Sequence, residues 1–296
     1  MRENVIEVRD LTRRFRTVTA LDDVTIEAPR GVVFGLVGEN GAGKTTLIKH
    51  LLGLLRAKTG SVRVFGLDPV QDPPGVLSRV GYLSEDRDLP DWMRVWELMR
   101  YTRAFYPDWD EGYAEELRKT FQLDPEAKIK ELSRGQKAHA GLLVALAYRP
   151  DLLLLDEPSS GLDPVVRRDI LEAIVRTVAD EGRTVFFSSH LLDEVERVSD
   201  HVAMIHKGSL VLSQSLDAVK EGHRIFVLDF PEPPAEPPRL PGMLSRKGEG
   251  REWVLLCRGD PVERKRAAAA LGARIVEETI PTLEEIFVAR IRGSGF

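Results

Sequence analysis

One cysteine in 296 residues, Cys257, leaves the chain without an internal disulfide or a multi-cysteine metal site, a composition that fits a reducing compartment. No apolar run approaches the roughly 20 residues that a membrane-spanning helix needs. The opening MRENVIEVRD carries charges where a signal peptide has its apolar core. The expectation is a cytoplasmic protein whose membrane role, if it has one, runs through a partner. An excess of one charge is missing too: 42 Lys and Arg stand against 47 Asp and Glu, a net charge of −5. Nucleic-acid binders carry a basic face or stripe, so no nucleic-acid partner is expected, although a local basic patch stays open. No internal repeat is found.

What is present is enough apolar content, 43%, for a well-buried core, in a length that suggests about two domains. NVIEVRDL, VTIEA and GVVFGLVG read as strands, and KTTLIKHLLGLL after the last of them has helical spacing. SVRVFG and RVGYLSE read as further strands. A helical insert over about 88–148 then interrupts the sheet, with MRVWELMRYTRAFY and EGYAEELRKTFQL as its clearest helices. DLLLLDEP is the continuous apolar run of a buried parallel strand. Helix-like PVVRRDILEAIVRTVADEG, the strand TVFFSS and HLLDEVERVSD follow it. This alternation predicts an α/β core. The pattern weakens around 215–223, which divides the chain into 1–220 and a small α+β domain over 221–296. The latter is built from HRIFVLDF, EWVLLCRG, RIVEETI, PVERKRAAAALG and PTLEEIFVARI, with the proline-rich FPEPPAEPPRLPG as an extended loop inside it.

GENGAGKT fits G-x-x-x-x-G-K-[ST] between a predicted strand and a predicted helix, the context that motif requires. Gly38, Asn40, Gly41, Ala42 and Gly43 form a loop whose N–H groups can close on phosphate oxygens at a helix N-terminus. Lys44 would reach the β- and γ-phosphates, and Thr45 would offer its hydroxyl to Mg²⁺. In LLLLDEPSSGLD, Asp156 and Glu157 emerge at the carboxyl end of a buried strand, the ligand side of a parallel sheet. Asp156 suits the magnesium shell and Glu157 the base that takes a proton from attacking water. His190 ends another strand on that edge and can contact the γ-phosphate or orient water.

GENGAGKT, LSRGQ, LLLLDEPSSGLD and FFSSH, in that order over roughly residues 3–220, resemble the nucleotide-binding subunits of ATP-binding cassette (ABC) transporters. The chain looks most like the ATPase subunits of bacterial ABC-2 type exporters, through FYPDWD and the tail PTLEEIFVARI. The resemblance implies a P-loop NTPase cassette: a RecA-like α/β core with an antiparallel β subdomain and a helical insert, here followed by the small C-terminal domain. It implies an ATPase that uses ATP and Mg²⁺, works as a dimer of ATPase subunits, a homodimer by expectation, and drives an integral-membrane permease from the inner face of the cell membrane. In that family two cassettes pack head to tail, so Ser133, Gly135 and Gln136 would serve the partner's nucleotide. A serine hydroxyl at a helix N-terminus is an anion site in its own right, or simply a helix cap.

Other roles follow from the resemblance alone. Phe15 falls where the family stacks an aromatic ring on adenine, with a core phenylalanine as the alternative. Thr46 would contact the α-phosphate, Asp163 would couple the two sites, and Glu85 occupies the place of a glutamine that touches Mg²⁺ and faces the permease. Three residues depart from the pattern. Glu85 adds charge where glutamine is usual. Arg134 replaces the first glycine of LSGGQ, at a cost on the order of 1 kcal/mol if the position demands positive φ. Glu39 replaces a common proline. The aromatics of DWMRVWELMRYTRAFYPDWD suit either a permease anchor or core packing. A soluble non-transport ABC ATPase and a nucleotide-dependent switch are the alternative functions. The former usually carries two cassettes or a long coiled coil, and the latter has no need of Glu157.

Overall fold

The computed structural model describes residues 3–179 and 182–293. The N-terminal pair, the last three residues and, within the helix expected over 164–182, Asp180 and Glu181 lie outside the described residues. The chain divides into two units at 213/214, against the boundary at 220/221 read from the sequence.

In the first unit, β1 (Asn4–Phe15) and β2 (Val18–Pro29) form an antiparallel ribbon, with β4 (Thr59–Val64) on the far side of β1. Buried Ile6 and Val8 of β1, and Val24, Ile26 and Ala28 of β2, alternate with more exposed polar residues, as a sheet with one wet face requires. β3 (Val33–Val37), β5 (Val80–Leu83), β6 (Leu152–Leu155), β7 (Thr184–Ser189) and β8 (His201–His206) form the parallel part. β9 (Ser209–Ser215) joins β8 to β2, so the sheet runs β4-β1-β2-β9-β8-β3-β7-β6-β5. The β8–β9 turn, Lys207–Gly208, has positive φ at both residues, the conformation that suits a two-residue hairpin. All residues of β3, β6 and β7 are buried, because helices cover both faces of this part.

α1 (Lys44–Leu51) follows β3, and the short α2 (Pro73–Leu77) precedes β5. Between β5 and β6 stand α3 (Val95–Arg103), α4 (Glu111–Thr120) and α5 (Arg134–Leu146), the helical insert. Its aromatics differ in exposure. Trp92, Tyr101 and Phe105 are exposed, while Tyr106 stacks on the buried Tyr148 at 3.6 Å between centroids. α6 (Pro164–Ala179) links β6 to β7, and α7 (Leu192–Val198) links β7 to β8. Among the described residues no helix is long and apolar enough to cross a membrane.

The second unit holds α8 (Leu216–Glu221), where no element stands out from the sequence, then β10 (His223–Asp229), β11 (Met243–Glu249), β12 (Glu252–Arg258), α9 (Pro261–Ala270), β13 (Arg274–Thr279) and α10 (Leu283–Gly293). The strands form an antiparallel sheet in the order β11-β12-β10-β13. Phe226, Leu228, Leu255, Cys257 and Ala268 make its own core. The proline-rich stretch forms an irregular β10–β11 connection whose ends are pinned by buried Phe230 and Leu240. Cys257 is buried, and burial pushes its thiol up to about 11.

Candidate active site

The loop between β3 and α1 is shaped by two glycines. Gly43 has φ 111, and a Cβ there would sit 2.3 Å from the Ala20 carbonyl oxygen; at Gly38 it would sit 2.4 Å from that of Ile205. Gly43 also caps α1 without a side chain, so the first N–H groups of the helix have no side-chain cap, and the macrodipole adds positive potential there. Ala42 is buried, Asn40 and Gly41 are exposed, and Thr45 and Thr46 are half-buried in the first turn.

Lys44 is 5% exposed. Its Nζ donates to the Gly38 carbonyl oxygen at 2.6 Å and to that of Glu39 at 3.2 Å, and lies 2.9 Å from Glu157 Oε1. The other oxygen of Glu157, Oε2, is 2.7 Å from His190 Nδ1. One carboxylate therefore bridges the lysine of the glycine-rich loop and the histidine ending β7. Glu157 leaves β6 with φ 47, a left-handed conformation that costs a non-glycine residue about 1–2 kcal/mol. Its N–H donates to Ser188 Oγ at 2.9 Å, and the Ser188 hydroxyl donates to Asp156 Oδ1 at 2.7 Å.

Asp156, Thr45 and Glu85 line one cavity of about 410 Å³, together with Lys49 and Arg87. The three expected metal residues are thus brought to one space. Glu85 is exposed there, and Arg87, two residues on, is buried. Arg87 Nη2 donates to the carbonyl oxygens of Pro158 and Ser160, at 3.1 and 2.9 Å. Burial, and then Arg134, pull its guanidinium below its ordinary value. Arg87 belongs to the site region although nothing in LSEDRD sets it apart from its charged neighbours.

Ser133, Gly135 and Gln136 form a separate cluster at the start of α5. Ser133 Oγ accepts from the Gln136 N–H at 3.2 Å and Gln136 Oε1 accepts from the Ser133 N–H at 2.9 Å, a reciprocal capping box. Gly135 lets α5 close on α6, since a Cβ would lie 2.8 Å from Val166 Cγ2. Among the described residues, neither Ser133 nor Gln136 bonds the glycine-rich loop of its own chain. Arg134 begins α5 with a helical backbone, so the position does not demand positive φ and the anticipated strain is absent. Its guanidinium lies against Gly161, where a Cβ would meet Nη1 at 2.5 Å. Asp163 accepts from the N–H groups of Val165 and Val166, at 3.0 and 3.2 Å, at the start of α6.

Phe15 is 41% exposed at the end of β1, with the Arg13 guanidinium 4.5 Å from its ring centroid. The core alternative for this ring is overturned. Glu39 keeps its side chain mostly in solvent, 3.7 Å from His206 Nδ1.

The arrangement can seat an anion on backbone N–H groups, a lysine and a helix end, and it holds a carboxylate and an imidazole beside them. The ABC transporter family profile matches residues 21–160. An uncharacterised ABC transporter ATP-binding protein of Synechocystis is 33% identical, over 99% of this chain and 86% of that one. The ABC transporter ATP-binding protein YtrB of Bacillus subtilis is 29% identical over 98% and 99%. The bacitracin transport ATP-binding protein BcrA of Bacillus licheniformis is 31% identical over 75% and 74%. Among solved structures, an ATP-binding subunit of an ABC transporter superposes with TM-score 0.67 at 29% identity, covering 73% of this chain and 92% of that one. An ATP-binding cassette solved as a dimer in a post-hydrolysis state with ADP and Pi has the same fold, with TM-score 0.64 at 19% identity and coverage of 71% and 98%.

Proposed function

The chain belongs to the ATP-binding subunits of ABC transporters and is an ATPase, and from that premise we propose that two copies close head to tail on ATP and Mg²⁺ to drive a separate permease of the exporter type. The observation that carries the reading is the row Lys44–Glu157–His190. A γ-phosphate brought to Lys44 competes with Glu157 for the ammonium, which frees the carboxylate to take a proton from water while His190 keeps its orientation. The loop N–H groups and α1 hold the phosphates, Thr46 joins them, and exposed Phe15 offers its ring to the adenine. Thr45, Asp156 and Glu85 fit Mg²⁺. They supply hard oxygen donors, two of them carboxylates, in one cavity. That donor set would hold an ion usually bound by one or two carboxylates and substrate phosphates, and Mg²⁺ there would neutralise phosphate charge.

Ser133, Gly135 and Gln136 form a helix start, exposed at Ser133 and Gln136, that among the described residues makes no bond to the phosphate loop of its own chain, which supports their use on the partner copy's ATP, with Asp163 linking the two sites. An apolar cavity of about 320 Å³ lined by Leu54, Leu77, Thr102, Tyr106 and Tyr148, with exposed Tyr101 and Phe105 next in the chain to Thr102 and Tyr106, suits an apolar helix of the permease. Such docking would hold this chain at the cytoplasmic face of the membrane. The relatives named for bacitracin transport support a transport role for this chain.

Light scattering on purified Glu157→Gln protein, with and without Mg-ATP, tests the closure. A doubling of mass only with ATP, abolished by Ser133→Arg, is expected. ATP bound by the purified variant at constant monomer mass would overturn the head-to-tail closure.

A further inference from the structure

Glu194, in the first turn of α7, is 2% exposed and belongs to none of the motifs read from the sequence. Its Oε2 accepts from Ser159 Oγ at 2.5 Å and from Ser189 Oγ at 3.4 Å, and its Oε1 lies 3.2 Å from Arg167 Nε. Ser159 is two residues past Glu157, and Ser189 directly precedes His190. Arg167 stands in the first turn of α6, and its N–H donates to the Asp163 carbonyl oxygen at 3.0 Å. We infer that Glu194 is the positioning residue that holds the turn carrying Glu157 against the strand end carrying His190. The inference rests on the reading of Glu157 as the base.

A buried carboxylate loses hydration, and packing alone would be served as well by an apolar side chain of the same volume. Burial indeed pushes the Glu194 carboxyl above its ordinary range even with Arg167 beside it. What the carboxylate adds is one oxygen that accepts from Ser159 and Ser189 and a second that pairs by charge with Arg167, so that it reaches three elements at once. The turn it grips has something to hold: Glu157 sits at φ 47, and such a conformation persists only where its surroundings over-determine it. Ser188 fixes that turn at the Glu157 N–H, and Glu194 fixes it on the other side at Ser159. Both anchors come from β7 and α7, the elements on either side of His190. Among the described residues Glu194 bonds Ser159, Ser189 and Arg167 and no residue of the phosphate loop or the start of α5, so its effect falls on the geometry of proton transfer and not on nucleotide binding.

The test is steady-state ATP hydrolysis by Glu194→Ala, Glu194→Gln, Ser159→Ala and the Glu194→Ala/Ser159→Ala pair, with Glu157→Gln alongside and His190 imidazole nitrogen shifts recorded for each. Glu194→Ala is expected to lower kcat about tenfold or more while KM for ATP stays within about twofold. The double variant should be no worse than Glu194→Ala, and the His190 shifts should move at temperatures well below the Tm of each variant, where it is fully folded. Glu194→Gln keeps an acceptor for Ser159 and should recover most of the rate. Wild-type kcat in Glu194→Ala, additive losses in the pair, or unmoved His190 shifts would each overturn the inference. If Glu157→Gln hydrolyses at the wild-type rate, the base reading fails separately, and the His190 shifts still decide whether Glu194 holds the pair.

Discussion

Glu157 is held by Lys44 on one oxygen and His190 on the other, so removing its charge while keeping its shape isolates the proton-transfer step. Glu157→Gln is expected to lose about 10²–10⁴-fold in kcat yet bind ATP at least as well, by rapid quench and equilibrium binding. These residues were legible because each lies in a contiguous motif whose chemistry is local. Glu194 and Arg87 were not: in LLDEVERVSD and LSEDRD they are one charge among several, and only the tertiary fold brings Glu194 to Ser159 or Arg87 to Ser160. Histidine burial gives a pH signature. His50, His139 and His223 are all held below 6.5, chiefly by burial; at His139, Asp169 and Asp163 oppose the shift. The unfolded chain then takes up protons that the native one refuses, so stability is full above pH 6.5 and falls as pH drops below it. Urea titrations at pH 7.5 and 5.5 should show a lower midpoint at the acid value, and equal midpoints would contradict neutral burial.

At the scale of elements, the β3–α1 loop tolerates no side chain at its last glycine. Gly43→Ala meets both a φ of 111 and the Ala20 carbonyl oxygen at 2.3 Å. Calorimetry with and without nucleotide is expected to find it destabilised by about 2 kcal/mol or more, with ATP no longer raising its Tm. β3, β6, β7, α1, α9 and α10 were legible because their apolar runs and helical spacing are unbroken. β1 and β2 run to Phe15 and from Val18, past the segments their alternation marks out, since register with each other extends a ribbon beyond its apolar residues. β11 is an edge strand whose second half, RKGE, is charged and exposed, a composition that protects an edge and hides a strand. α8 spans only six residues, too few for a helical period to show. The β8–β9 turn uses Lys-Gly where Asn-Gly or Asp-Gly is the strong signal.

Every residue assigned to the nucleotide lies in the first unit, while the second has a separate core. Scanning calorimetry is therefore expected to resolve a transition that rises with Mg-ATP, as ligand bound to the native state requires, and one that does not. The exposed aromatics of the insert belong to the same scale. Phe105→Arg should leave hydrolysis by the isolated subunit unchanged and reduce co-purification with the permease, whereas undiminished capture would move the docking face elsewhere. Cys257 has a practical consequence for measuring closure. Its thiol is buried and weakly acidic, so maleimides and mild oxidants find little to attack on the native surface. Cysteines introduced at exposed Asn40 and Ser133 can then serve as the only accessible pair. An inter-chain crosslink between those two sites, formed with ATP and absent without it, would report subunit apposition directly on a denaturing gel.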